Sequence, residues 1–318
     1  VTVGEHVRSL LPWPAGPRVR ARQVAVEGVE ARLLEAGAPD APPLVLLASM
    51  LVRARTYRPL VRRLARHFRV VAVELPGSGQ GARLREPWSL GAYADYTGRL
   101  LEGLQLGRPP VVVGHSNSGP VALLLAAARP AQVAALVLVD SVGARRRRSV
   151  PRVVLARLRD GLFEPLLNLR AGWHLGMNVL VHARSFFHQV RVGAKAHVLA
   201  EAAGVAVPTL VAWGRNDRTV PPDCAWRFAA CLPRARVVLG PGSHDWLNTA
   251  PESFTRALLA FCRRAALLSE AAPAWVRGAP SGVALGGGPQ GVPRPEEGSR
   301  AGRLSTRPGS GATVRRKS

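Results

Sequence analysis

From about Arg22 onward, short apolar runs alternate with longer amphipathic stretches. Leu44 to Leu47 is apolar at every position, which suits a strand buried on both faces rather than one with a wet side. Val70 to Glu74, Val111 to Val113, Leu136 to Val139, Thr209 to Ala212 and Arg236 to Leu239 read as further strands. Val24 to Val26 and Ala31 to Leu34 read as two more, joined by a turn at Gly28. Tyr57 to His67 carries Leu60, Val61 and Leu64 at helical spacing, and Leu90 to Leu104, Val121 to Ala128 and Pro251 to Arg264 also read as helices. Strands alternating with helices of this length predict an α/β fold with a mostly parallel central sheet covered on both faces. Ligands bind such sheets beyond the carboxyl ends of the strands, so candidate catalytic residues belong just after strands.

Two stretches fall outside the alternation. Residues 143–204 carry helical segments, including Val153 to Leu158 and Val179 to Val190, and read as a helical insertion between two parts of the core, 22–142 and 205–265. Residues 273–318 are rich in Gly, Pro, Ser and Arg without periodicity and read as a disordered tail, while 1–21 form an N-terminal extension.

The chain has 318 residues, 47% of them hydrophobic, enough for a sizeable core. Its longest apolar runs are too short to span a bilayer, and Val1 to Pro17 lacks the continuous apolar segment of a signal peptide. The expectation is a soluble, cytoplasmic protein. Cys224, Cys231 and Cys262 fit neither a disulfide framework nor a zinc spacing and read as small apolar core residues. The net charge of +24 raises the possibility of a nucleic-acid partner. Only Lys195 and Lys317 are lysines, however, and arginine excess with abundant Ala, Gly and Pro is what GC-rich codon usage produces. The arginines are spread along the chain with no helix-turn-helix, zinc-finger or RNP pattern, so no specific nucleic-acid partner is expected.

The sharpest chemical signal is Gly114-His115-Ser116-Asn117-Ser118-Gly119, between a strand and a helix. A serine on such a tight turn projects its hydroxyl above the sheet, and small residues two before and two after it let the strand and helix backbones approach. Gly114 meets the first need and Ser118 stands where glycine is usual. A serine hydroxyl needs a base, and His244, in the loop after Arg236 to Leu239, is the best placed histidine. The base needs an orienting carboxylate. Asp217 follows Thr209 to Ala212 and is the favoured acid; Asp140, at the end of Leu136 to Val139, is the rival. The order Ser116, Asp217, His244 is the one expected of this architecture.

With these residues in view, the chain from about 22 to 265 resembles the α/β-hydrolase superfamily. The resemblance rests on the serine turn, Glu74-Leu75-Pro76-Gly77-Ser78-Gly79, Val207-Pro208-Thr209 leading into Trp213-Gly214-Arg215-Asn216-Asp217, and Gly242-Ser243-His244 followed by Ala250-Pro251-Glu252. It implies a sheet of about eight strands, a helical cap over the active site at 143–204, and neither cofactor nor metal. It also implies an oxyanion hole from the backbone N–H groups of Asn117 and Met50. Relatives usually carry His-Gly where this chain has Ala48-Ser49.

The expected function is serine hydrolysis of a carboxylic ester or related acyl substrate through an acyl-enzyme. Serine at this turn argues against the dehalogenases and epoxide hydrolases of the fold, which use aspartate. Leu51, Phe163, Trp173, Met177 and Phe186 are the candidate lining of an apolar substrate pocket, with packing of the insertion on the core as the alternative. Arg145 to Arg148, with Arg152, form the densest basic cluster and suit an acidic or carrier-bound substrate, or simply a solvated loop. Two other readings stay open: a catalytically decayed ligand-binding protein, favoured by Ala48-Ser49, and nucleic-acid binding by the arginine-rich tail.

Overall fold

The computed structural model describes residues 17–144, 149–162 and 165–267. Eight strands form one sheet in the order β1-β2-β4-β3-β5-β6-β7-β8. They are β1 (Arg20–Val26), β2 (Val29–Ala36), β3 (Pro43–Leu47), β4 (Arg69–Glu74), β5 (Val111–His115), β6 (Ala135–Val139), β7 (Thr209–Gly214) and β8 (Ala235–Gly240). The first two pairings, β1 with β2 and β2 with β4, are antiparallel, and from β4 to β8 every pairing is parallel. β3, β5, β6 and β7 are buried at every position, which is why they read as unbroken apolar runs. β1 and β2 meet in a two-residue turn whose Glu27 (φ 50°) and Gly28 (φ 79°) both take positive φ, the geometry that matches the twist of a hairpin.

Alternate residues along each strand supply two cores. Val45 and Leu47 face a layer built from α2 (Leu90–Gly103), α3 (Gly119–Ala128) and α7 (Asp223–Cys231). Leu44 and Leu46 face the other layer, with α1 (Arg58–Leu64), α8 (Trp246–Thr249) and α9 (Pro251–Arg264). The side chain of Ser89 caps α2 by accepting from Ala92 N at 3.2 Å.

Between β6 and β7 the chain inserts α4 (Val150–Leu162), α5 (Pro165–Lys195) and α6 (Leu199–Ala202). α4 and α5 run well past the expected Val153 to Leu158 and Val179 to Val190, and α5 bends at His182 (φ −127°, ψ 34°). Gly172 and Gly176 weaken the helical signal in the first half of α5. The insertion is tied to loops at the carboxyl ends of the strands: Asn178 Oδ1 accepts from Gly79 N (3.1 Å), and His174 Nδ1 lies 2.7 Å from Thr56 Oγ1. Arg145 to Arg148, Phe163, the N-terminal extension before residue 17 and the tail beyond 267 lie outside the described residues.

Candidate active site

β5, β6, β7 and β8 end side by side, so the residues just after them share one rim of the sheet. Ser116 follows β5 with φ 57°, a left-handed conformation that turns the chain sharply into α3. The turn is crowded. A Cβ added at Gly114 would lie 2.8 Å from Gly119 Cα, and one at Gly119 would lie 2.0 Å from Ser141 Oγ. Ser118 has a use a glycine would lack, because its hydroxyl donates to Ala48 O at 2.6 Å and ties the turn to the loop after β3.

Ser116, His244 and Asp217 are brought into one hydrogen-bonded row. His244 Nε2 lies 2.9 Å from Ser116 Oγ, and His244 Nδ1 lies 2.8 Å from Asp217 Oδ2. A carboxylate can only accept, so Nδ1 carries the proton and Nε2 is left to accept from the serine. Asp217 Oδ1 accepts from Val220 N at 2.8 Å. All three residues are buried, Ser116 at 6% exposure.

Asp140 also reaches this rim, with φ 46°, but it makes no hydrogen bond to His244; its Oδ1 accepts from Gly214 N at 2.7 Å. Burial, and then the charge of Asp217, push Asp140 well above the usual carboxylate range. Burial raises Asp217 too, but His244 and the Val220 N–H stabilise its anion. Of the two acids Asp140 is therefore the one biased toward its protonated form, and Asp217 the one whose anion is supported by its partners. Burial alone would lower His244; the charge of Asp217 and its hydrogen bond outweigh that, and the imidazole sits above its ordinary 6.5.

The loop after β3 carries Met50, the second expected oxyanion-hole donor. Met50 N donates to Asn117 Oδ1 at 3.0 Å, and Ser49 Oγ donates to the same oxygen at 3.1 Å. The side chain of Asn117 thus occupies the Met50 N–H.

Several residues around the row escaped the reading of the sequence. Ser49 N donates to Tyr57 OH (3.1 Å), which is 2.6 Å from His115 Nδ1, and His115 Nε2 donates to the carbonyl of His244 at 3.1 Å. Burial pushes His115 down to about 4, so it is a neutral link near pH 7. Asp245, next to His244, pairs with Arg157 of α4; burial alone would raise its carboxyl, but the guanidinium outweighs this and holds it below the usual range. Asp160, also on α4, accepts from Arg218 N, Thr219 N and Thr219 Oγ1. A histidine beside the serine and an aspartate after His244 were the only signals in the sequence for this network.

Of the candidate pocket residues, Phe186 is buried, Leu51 and Met177 are half-buried, and Trp173 is 68% exposed. Trp173 therefore stands out into solvent on α5. The C-terminal part of α5 does approach the serine turn: a Cβ at Gly193 would lie 3.7 Å from Asn117 Cβ. An open groove of about 520 Å³, lined by Leu124, His188, Val192 and His197 among others, includes none of Ser116, Asp217 and His244. Among the described residues, no helix is long and apolar enough to cross a membrane, and no group of three His, Cys, Asp or Glu side chains is arranged to hold a metal.

Residues 36–258 match the Alpha/beta hydrolase family, and the chain belongs to that family. A relative from Metapseudomonas resinovorans, 2-hydroxy-6-oxo-6-(2'-aminophenyl)hexa-2,4-dienoic acid hydrolase, is 26% identical over 273 residues, covering 79% of this chain and 93% of its own. Among solved structures, a membrane phospholipase A superposes with a TM-score of 0.68 at 23% identity, over 82% of this chain and 90% of that one. A serine hydrolase involved in carbazole degradation superposes with a TM-score of 0.67 at 24% identity, over 78% of this chain and all of its own. At those identities the structures speak for the fold, and the relative's name supports hydrolase activity.

Proposed function

We propose that the protein is a serine hydrolase that cleaves a carboxylic ester or related acyl substrate, with Ser116 as nucleophile, His244 as base and Asp217 as its orienting acid. The observation that carries this reading is the hydrogen-bonded row from Ser116 Oγ through His244 to Asp217 Oδ2, with Val220 N securing the far carboxylate oxygen. A decayed site has no reason to keep three such groups in register from three strand ends.

In this mechanism Ser116 Oγ attacks the carbonyl carbon as its proton passes to His244 Nε2, and the imidazolium is stabilised by Asp217. The negative oxygen of the tetrahedral intermediate is held by the N–H groups of Asn117 and Met50, once substrate displaces the Asn117 side chain from Met50 N. His244 gives its proton to the leaving alkoxide, which departs as an alcohol and leaves an acyl-serine. Water, deprotonated by His244, attacks the acyl carbon; Ser116 Oγ leaves, takes back the proton and releases the acid.

The test is labelling by a fluorophosphonate probe in the wild type and in Ser116→Ala. Labelling of the wild type alone is expected, followed by turnover of p-nitrophenyl esters whose chain-length preference sizes the acyl pocket. Equal labelling of both proteins, or of neither, would overturn the assignment.

A further inference from the structure

The loops that carry His244 and Asp217 leave the sheet from different strands, β8 and β7, yet one inserted helix grips both. On α4, Arg157 pairs with Asp245, the residue after His244. Three residues on, and so on the same face of the helix, Asp160 reaches the loop after Asp217. Its Oδ2 accepts from Thr219 N at 2.7 Å and from Thr219 Oγ1 at 2.6 Å, and Arg218 N lies 3.2 Å from Oδ1 and 3.1 Å from Oδ2. Three consecutive backbone N–H groups are thereby assigned: those of 218 and 219 to Asp160, and that of 220 to Asp217 Oδ1.

We propose that Arg157 and Asp160 are positioning residues that hold the base and the acid in register, making α4 a working part of the reactive centre as well as its cover. The inference rests on the triad proposed above. Asp160 is completely buried, and a buried carboxylate is costly unless its bonds fix something. What it fixes is the turn whose next N–H takes up one oxygen of Asp217, leaving Oδ2 free to orient His244 Nδ1. On the other loop, Asp245 is 6% exposed, and Arg157 neutralises it. Without that cation the carboxylate would be driven toward water, pulling on the backbone of His244, whose carbonyl is held from the other side by His115.

The experiment begins with fluorophosphonate titration of active sites in the wild type and Ser116→Ala; a lack of Ser116-dependent labelling removes the triad and overturns both proposals. With labelling normal, kcat for p-nitrophenyl butyrate is measured per titrated site in Asp160→Ala, where it should fall about 100-fold with KM little changed, the loss that a small misplacement of reacting groups causes. Should Asp160→Ala not fold, Asp160→Asn replaces it, with an expected loss of about tenfold, since one amide oxygen must serve donors that now share two oxygens. The second readout is the acid limb of kcat/KM against pH. His244 is faced by Ser116, His115, Asp217, Asp245 and Arg157. Removing the cation in Arg157→Ala leaves Asp245 to favour the imidazolium, so the limb should move to higher pH, and Arg157→Lys should return it. A merely structural role would lower the melting temperature and the titrated fraction without moving the limb. An unmoved limb in Arg157→Ala, or wild-type kcat per site in the Asp160 variant, overturns the proposal.

Discussion

Two aspartates end adjacent strands at the same rim, and exchanging each for asparagine separates their roles. Asp217 Oδ1 is committed to Val220 N, so an asparagine here keeps its carbonyl on that N–H and turns its amide toward His244 Nδ1. The amide can only donate, which forces the imidazole proton onto Nε2, opposite Ser116 Oγ, where it blocks acceptance of the serine proton. Loss of the correct tautomer with geometry otherwise intact costs about 10⁴ in kcat, equivalent to about 5.5 kcal/mol of transition-state stabilisation. Asp140 is biased toward its protonated form and offers Oδ1 to Gly214 N, so asparagine is nearly its isostere. The change there should cost less than about fivefold, the scale of one perturbed neutral hydrogen bond. The assay is kcat/KM for a short p-nitrophenyl ester, with far-ultraviolet circular dichroism to show that both variants fold. A loss above a thousandfold in Asp140→Asn, or less than tenfold in Asp217→Asn, would refute the division of labour between the two acids.

Three further outcomes are expected. The acid limb of kcat/KM should lie above the ordinary histidine value of 6.5, because the reaction needs neutral His244 and the site favours its charged form; a limb below 6.5 contradicts the proposed His244–Asp217 pairing. Asn117→Ala releases Met50 N from a side chain that substrate must otherwise displace, so kcat/KM should rise up to about tenfold, the value of one hydrogen bond; a fall would show that the amide assists turnover. Gly214→Ala would push a Cβ to 2.2 Å from Ser243 O, backbone that cannot step aside. A loss of about 3 kcal/mol is expected, seen calorimetrically as a melting temperature lower by about 6–12 °C, whereas an unchanged melting temperature would contradict the close approach of β7 to the Ser243 loop.

The parallel strands were legible because burial on both faces leaves an unbroken apolar signature, as in Leu44 to Leu47. β1 was visible only at Val24 to Val26 because Arg20 to Gln23 are exposed and carry no pattern. α7 was missed although Cys224, Ala225 and Phe228 are buried at helical spacing, since a nine-residue helix between two loops gives little periodicity to read. Ser116, Asp217 and His244 stood out because each follows a strand. The partners Tyr57, Arg157 and Asp160 did not, since nothing local marks a side chain whose role depends on a contact 58 to 88 residues away, from Tyr57 with His115 to Arg157 with Asp245. Likewise, the engagement of Met50 N by Asn117 Oδ1 depends on where the Asn117 amide points, which spacing along the chain does not encode.

The outer strand β1 gives some of the arginine a structural use, whatever codon usage put it there. It ends the sheet, so one edge of its backbone faces away from β2, and a bare edge of that kind invites a strand from another chain to add on. Arg20 and Arg22 stand exposed along it, and Arg22 is paired with Glu35 of β2 at 2.9 Å. Any second molecule docking there in register would bring its own arginines against these, and that repulsion opposes strand-on-strand self-addition.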